Sequence, residues 1–267
     1  MKLSFSTLGC PNWKWSEILS AAVDLGYNGI ELRGIGEDIF LPDVKMFSDE
    51  KIADTKQELS AKGIEIACIS TECALVAESD PRERVAAYLA LASKLGSPYI
   101  RVMGEPTPEP ADGFDLGRVM SRLAALVPLA EKAGVTMLLE SNGHLADSRL
   151  LKGVIEGTGS ERVRALWDLH HPFRYFGESP ETTAANIGAY VRHMHIKDSK
   201  IENGRLAYKM IGYGDLPIAG AFYELKELGY EGYVSLEWTK RWNEELEDAG
   251  IVFSHFVYAT GKLWKEA

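Results

Sequence analysis

Four short apolar runs in the second half of the chain each end in a residue that can hold a cation or move a proton. Thr136 to Leu139 runs into Glu140, Val163 to Trp167 into Asp168, Tyr190 to Met194 into His195, and Tyr233 to Leu236 into Glu237. Side chains alternate along a strand. If each run is a strand, Thr136, Leu138 and Glu140 share a face, as do Arg164, Leu166 and Asp168, then His193 and His195, then Tyr233, Ser235 and Glu237. Three carboxylates crowded at one rim repel one another, and a divalent cation removes that repulsion. Three oxygen donors and one imidazole make a mostly hard site. It suits Mn²⁺ first, with Mg²⁺, Co²⁺ or Zn²⁺ as alternatives. Taken singly, Asp168 is equally well explained as a helix N-cap, Glu140 or Glu237 as half of an ion pair, and His195 as a hydrogen-bonded core histidine. The joint occurrence at four separate run ends favours the metal.

Such a cluster needs a fold that gathers strand ends. Short apolar runs alternate with amphipathic stretches along the whole chain, which predicts repeated βα units and a parallel sheet. Strands are expected at Leu3 to Gly9, Gly29 to Arg33, Ile64 to Ile69, Tyr99 to Met103, Val135 to Leu139, Val163 to Trp167, Tyr190 to Ile196 and Tyr233 to Leu236. Helices are expected at Ser16 to Leu25, Asp49 to Lys62, Pro81 to Leu95, Leu116 to Lys132, Ser148 to Ile155, Glu181 to Ala189, Leu216 to Leu228 and Glu244 to Trp264. Gly26, Gly63, Gly96 and Gly134 stand as helix stop signals. Eight units in 267 residues, with no linker or composition break, predict one (β/α)8 TIM barrel domain spanning 1–267. An open doubly wound sheet would carry a glycine-rich phosphate turn after the first strand, and Gly9-Cys10-Pro11-Asn12-Trp13 is not one.

A formal charge of −10 and the lack of any basic stripe with interleaved aromatics argue against a nucleic-acid partner. No stretch approaches the ~18 apolar residues of a membrane span, and no signal-peptide layout is seen. The three cysteines, Cys10, Cys68 and Cys73, are odd in number without CxxC spacing. They suit a reducing cytoplasm and small buried hydrophobic roles.

The segments Leu139-Glu140-Ser141-Asn142, Trp167-Asp168-Leu169-His170-His171, His195-Ile196-Lys197-Asp198 and Leu236-Glu237 resemble the successive motifs of the xylose-isomerase-like barrel superfamily. Leu25 to Leu32 and the turn Gly212-Tyr213-Gly214-Asp215 match as well, so the resemblance covers essentially the whole chain. It implies that Glu140, Asp168, His195 and Glu237 hold the metal. It also implies that Glu140 and Glu237 flank a small sugar or polyol, one removing a proton beside a carbonyl and the other returning one to the opposite face. The metal would stabilise the enediolate as a Lewis acid. Under the same resemblance His171 hydrogen-bonds a substrate hydroxyl, Lys197 reaches the substrate, and Glu31 and Arg101 contact sugar or phosphate unless they form ion pairs within the barrel. His170 points away, His193 lies one layer deeper, and Asp198 is a loop-fixing or helix-end residue. Trp13, Trp15 and Trp238 pack in the core unless they stack on the sugar.

The expected activity is that of a metal-dependent isomerase or epimerase acting on a small sugar, sugar phosphate or polyol ketone. An inosose dehydratase-like lyase on the same metal site is the alternative. A non-catalytic sugar-binding barrel is less favoured. So is an endonuclease IV-type repair enzyme, because the first histidine is His144 and strands three and four end near Ser70-Thr71 and Met103-Gly104. For a phosphorylated substrate, Lys197, Lys200, Lys240 and Arg241 are the available cations. The closing helix, with Ile251-Val252-Phe253, could cover the barrel or join a homo-oligomer.

Overall fold

The structure, a computed structural model, describes residues 1–267. The chain alternates strands β1 (Lys2–Ser6), β2 (Gly29–Leu32), β3 (Glu65–Ala74), β4 (Tyr99–Met103), β5 (Thr136–Glu140), β6 (Val163–Asp168) and β7 (Val191–Ile196) with helices. A hairpin of β8 (Asp198–Glu202) and β9 (Arg205–Lys209) follows, and then β10 (Tyr233–Leu236). Strands β1 to β7 and β10 close into a parallel barrel in the circular order β1-β10-β7-β6-β5-β4-β3-β2. The ring around it comprises α1 (Trp15–Asp24), α2 (Ile52–Lys62), α3 (Arg82–Leu95), α4 (Leu116–Ala133), α5 (Ser148–Gly157), α6 (His170–Phe176), α7 (Pro180–Ile187), α8 (Ile218–Glu227) and α9 (Ala249–Glu266).

Local chemistry accounts for most boundaries. In α4, Val119, Leu123, Leu126 and Ala130 recur every three or four residues and are the buried ones, so one stripe faces the barrel. Asp115 accepts the Arg118 N–H at its start. Helices α2 and α3 stop where Gly63 (φ 65°) and Gly96 (φ 81°) enter the left-handed region, which side-chain-bearing residues avoid. The large apolar core lies between the outer barrel surface and the helices. Inside the barrel the apolar filling is small: Cys68, Leu138 and Leu166, with Tyr99 against them. Above that plug the interior is polar. All three cysteines are free and buried, and no helix is long and apolar enough to cross a membrane.

Several boundaries depart from the sequence expectation. The first strand stops at Ser6, and Thr7–Gly9 forms a 3-10 turn in which the Ser6 hydroxyl accepts the Leu8 N–H. Strand β3 runs on to Ala74, with a register shift against β4 between Ser70 and Ala74. The closing helix starts at Ala249, not Glu244, because the preceding segment is held open by Trp238 Nε1 donating to the Glu247 carbonyl at 3.0 Å. Within α9, Val252 and Phe253 are buried, with Phe253 stacked on Phe5 at 4.2 Å, so this stretch covers the barrel, and only Ile251 faces outward.

Leu138 sits on β5 in the thin apolar layer inside the barrel, with Cys68 and Leu166. Leu138→Ala should cost about 2–5 kcal/mol of stability, because so few neighbours can close the gap. Denaturant unfolding checks this, and a loss below ~1 kcal/mol would mean that the plug is not close-packed.

Candidate metal centre and cavity

Four adjacent barrel strands, β5, β6, β7 and β10, carry Glu140, Asp168, His195 and Glu237. Their ligand atoms lie within 4.8 Å of one another, and all four side chains are buried. His195 Nδ1 is the focus: it lies 3.2 Å from Glu140 Oε1, 3.5 Å from Glu237 Oε1 and 3.8 Å from Asp168 Oδ2. Three anionic oxygens and one imidazole nitrogen facing a common point fit a divalent cation in donor type and closeness.

Each carboxylate divides its two oxygens between structure and centre. Glu140 Oε2 accepts from Arg101 Nη1 at 2.6 Å. Asp168 Oδ1 accepts the backbone N–H groups of His170 (2.8 Å) and His171 (3.3 Å), tying down the start of α6, while Oδ2 accepts from Lys197 Nζ at 2.5 Å. Glu237 Oε2 also accepts from Lys197 Nζ. The capping and ligand readings of Asp168 therefore coexist, one on each oxygen.

Beneath the centre, fully buried Glu31 from β2 fixes the imidazole. Its carboxylate accepts from His195 Nε2 (2.9 Å), His193 Nε2 (2.9 Å), Ser70 Oγ (2.6 Å) and Ser235 Oγ (2.7 Å). With Nε2–H donated to Glu31, Nδ1 is the nitrogen left for a cation, the carboxylate–histidine arrangement that orients metal-bound imidazoles. Glu31 was expected either to touch substrate or to pair within the barrel, and the structure shows it paired with His193 and His195. It is set one layer too deep to touch substrate.

The electrostatics follow from crowding. Burial raises the Glu140 carboxyl, but Arg101 and His195 outweigh it and hold the group well below the usual carboxylate range. Burial likewise opposes ionisation of Asp168, and His171 and Lys197 overcome it. Burial disfavours the His195 imidazolium, yet Glu31 and Glu237 push its pKa well above 6.5. Lys197 is likewise held charged by Asp168 and Glu237. Burial pulls the pKa of His171 and of His193 down.

A cavity of about 320 Å³ opens over this cluster, a size suited to a small molecule. Glu140, Glu237, His171, Lys197 and Arg101 line it, so of the expected substrate contacts only Glu31 is absent. His171 Nδ1 donates to the Ser141 carbonyl at 3.1 Å, leaving Nε2 as its free acceptor. Lys200, Lys240 and Arg241 do not reach the cavity and are engaged by Glu202, Asp248 and the Gly36 carbonyl. Trp13 packs on Phe253 and Trp15 on Phe47, and buried Trp238 lies outside the cavity lining. The aromatic wall comes instead from Tyr208 on β9 and Trp242 in the loop after β10. Tyr208 rides on a hairpin whose turn, Asn203 (φ 53°) and Gly204 (φ 75°), is the two-residue pair that closes tight hairpins. That dipeptide was the signal by which it could have been found. Asp198 is a loop-fixing residue: its carboxylate accepts N–H groups from Ser199, Gly212, Gly214 and Leu216.

Fold and strand-end cluster together define a class, and the chain belongs to the xylose isomerase-like TIM barrel family, whose model matches residues 19–253. Among curated proteins it is similar to fructoselysine 3-epimerase of Escherichia coli O157:H7, at 23% identity over 253 residues (89% of this chain, 90% of that one). Among solved structures it resembles the zinc-bound IOLI protein (TM-score 0.81, 18% identity, covering 100% of this chain and 99% of that one). It also resembles a probable 3-DHS dehydratase of petrobactin synthesis, AsbF from Bacillus anthracis (TM-score 0.79, 18% identity, 98% and 99% covered).

Two measurements probe the centre. In protein stripped with chelator, the raised His195 pKa makes a stabilising contribution that is complete below the unfolded value near 6.5 and fades as pH climbs through the folded value. Thermal midpoints should therefore fall on going alkaline from neutral, and Mn²⁺ should bind more tightly over the same range as it displaces the Nδ1 proton. Midpoints and affinities that ignore pH would contradict this arrangement. Glu31→Gln should leave the fold intact and weaken Mn²⁺ binding roughly 10–100-fold in calorimetry. Unchanged affinity would deny Glu31 its orienting role.

Proposed function

We propose that this chain is a metal-dependent isomerase or epimerase that moves a proton beside the carbonyl of a small sugar, sugar phosphate or polyol ketone. One observation carries the reading. Glu140 and Glu237 both line the cavity, each with one oxygen committed to a cationic side chain and the other facing the shared centre. They stand on β5 and β10, with Asp168 and His195 on the two strands between them. A substrate over the centre is thus flanked by two carboxylates, and epimerisation requires a base on each face of one carbon. Glu140 or Glu237 takes the proton, and the other returns one from the opposite side.

Glu140, Asp168, His195 and Glu237 would hold the ion, for which Mn²⁺ is the first choice. When bound, the ion supplies Lewis-acid polarisation of the substrate carbonyl. His171 Nε2 accepts from a substrate hydroxyl, and the ammonium of Lys197 and the guanidinium of Arg101 orient Glu237 and Glu140. The 3-epimerase relative and the zinc-bound neighbour support this reading.

A lyase would start with the same proton abstraction and then need an acid for the departing hydroxyl. Lys197 is the candidate acid. Its ammonium is already committed to Asp168 and Glu237, which favours epimerisation. The Mn²⁺-loaded protein in D₂O should place deuterium beside the carbonyl of a ketose from a panel of free and phosphorylated sugars. Glu140→Gln and Glu237→Gln should each slow this exchange at least ~10²-fold. No exchange with any ketose overturns the proposal, and an enone absorbance in its place assigns the lyase.

A further inference from the structure

Three cationic side chains, Arg33, Arg101 and Lys197, line the cavity. Two are tied to carboxylates: Arg101 donates from Nη1 to Glu140 and from Nη2 to the Thr71 carbonyl, leaving only Nε unpartnered, and Lys197 binds Asp168 and Glu237. Arg33 is different. The residue is only 7% exposed, its guanidinium donates no hydrogen bond and joins no ion pair, and Nη1 is enclosed without any partner. Nη1 of a charged guanidinium carries two N–H donors, and leaving them buried and unpaired is costly unless a ligand uses them. Burial and the neighbouring charge of Arg101 lower its pKa only to about 10, so it is a cation at neutral pH.

The position is also held in readiness. Thr7 Oγ1 accepts the Arg33 N–H at 2.8 Å and donates to the Gly34 carbonyl at 2.7 Å, so the backbone after β2 is pinned. The Trp242 ring, its centroid 5.9 Å from Arg33 Cζ, covers one side of the guanidinium. In the circular strand order β2 lies opposite β6, the strand of Asp168. A molecule reaching from the Asp168 side of the cluster to Arg33 therefore crosses the barrel mouth, passing Glu237, which follows β10 two strands from β2.

We propose that Arg33 anchors an anionic group, a carboxylate or a phosphate, on the end of the substrate remote from its reacting carbon. The substrate would then be a sugar acid or a sugar phosphate, not a neutral sugar. This assignment rests on the proton-transfer reading above.

The test compares calorimetric binding of D-glucitol, D-gluconate and D-glucitol 6-phosphate to the Mn²⁺-loaded protein and to Arg33→Gln. At least one anionic probe should bind roughly 10–100-fold more tightly than glucitol, and Arg33→Gln should erase that difference while Mn²⁺ affinity is kept. Which anion gains identifies carboxylate or phosphate. Glucitol binding as tightly as both anions, or an anion preference that survives Arg33→Gln, overturns the proposal. The thermal midpoint of Arg33→Gln should match or exceed that of the wild type, since an unpaired buried charge is removed. A lower midpoint would give the guanidinium a structural task and also overturn it. Arg33-dependent anion binding without Mn²⁺-dependent exchange would sink the proton-transfer reading and leave the anchor standing. Exchange into neutral ketoses at equal efficiency in wild type and Arg33→Gln would do the reverse.

Discussion

The convergence of Glu140, Asp168 and Glu237 on His195 Nδ1 is the constraint around which the rest of the mouth is built. Like charges this close, withdrawn from water, would drive the strand ends apart unless each were answered by a cation or a donor. Arg101 and Lys197 answer from inside the protein, one against Glu140 and the other bridging Asp168 and Glu237. The remaining excess of negative charge lies where an imidazolium or a metal ion would sit. The order of the adjacent strands β5, β6, β7 and β10 is thus also the order in which charge is distributed.

A polar site of this density cannot rest directly on hydrocarbon. The layer below it is a set of hydrogen bonds centred on Glu31, which gathers two histidines and two serines from three other strands. Only beneath that layer does the Cys68–Leu138–Leu166 plug begin. Apolar packing that supports the fold is largely outside the barrel, against the helices. The interior is therefore free to be specialised for charge, and the closely fitted hydrogen bonds of Glu31 transmit the rigidity of the wall to the imidazole.

The clustering of four strand-end residues was legible in the sequence because a two-residue side-chain period needs no tertiary information. Once a run is a strand, the facing of Glu140, Asp168, His195 and Glu237 follows. Asp168 shows the limit of reading one residue for one role, since its two oxygens do different things. Glu31 was placed on the right strand, but its depth depends on barrel stagger, which no local pattern encodes. Arg33 was unreadable for a different reason: a missing partner is a property of the assembled neighbourhood, not of any segment. The β8–β9 hairpin was legible in Asn203-Gly204, but the barrel expectation assigned that stretch to a connecting loop.

That hairpin leaves the barrel at Asp198, three residues after His195, and its base is held by the Asp198 carboxylate wrapped in four backbone N–H groups and by Arg174 bonded to Ser199 and Asp215. Its outer end, with Ile201 and Leu206, faces solvent and supports nothing else. Root and tip are thus mechanically separate, the root shared with the wall that carries His195 and the tip unconstrained. A change in the length or composition of the ribbon would reshape the Tyr208 side of the cavity without disturbing the carboxylate–histidine cluster. The fold has, in effect, an interchangeable blade fixed in a permanent handle.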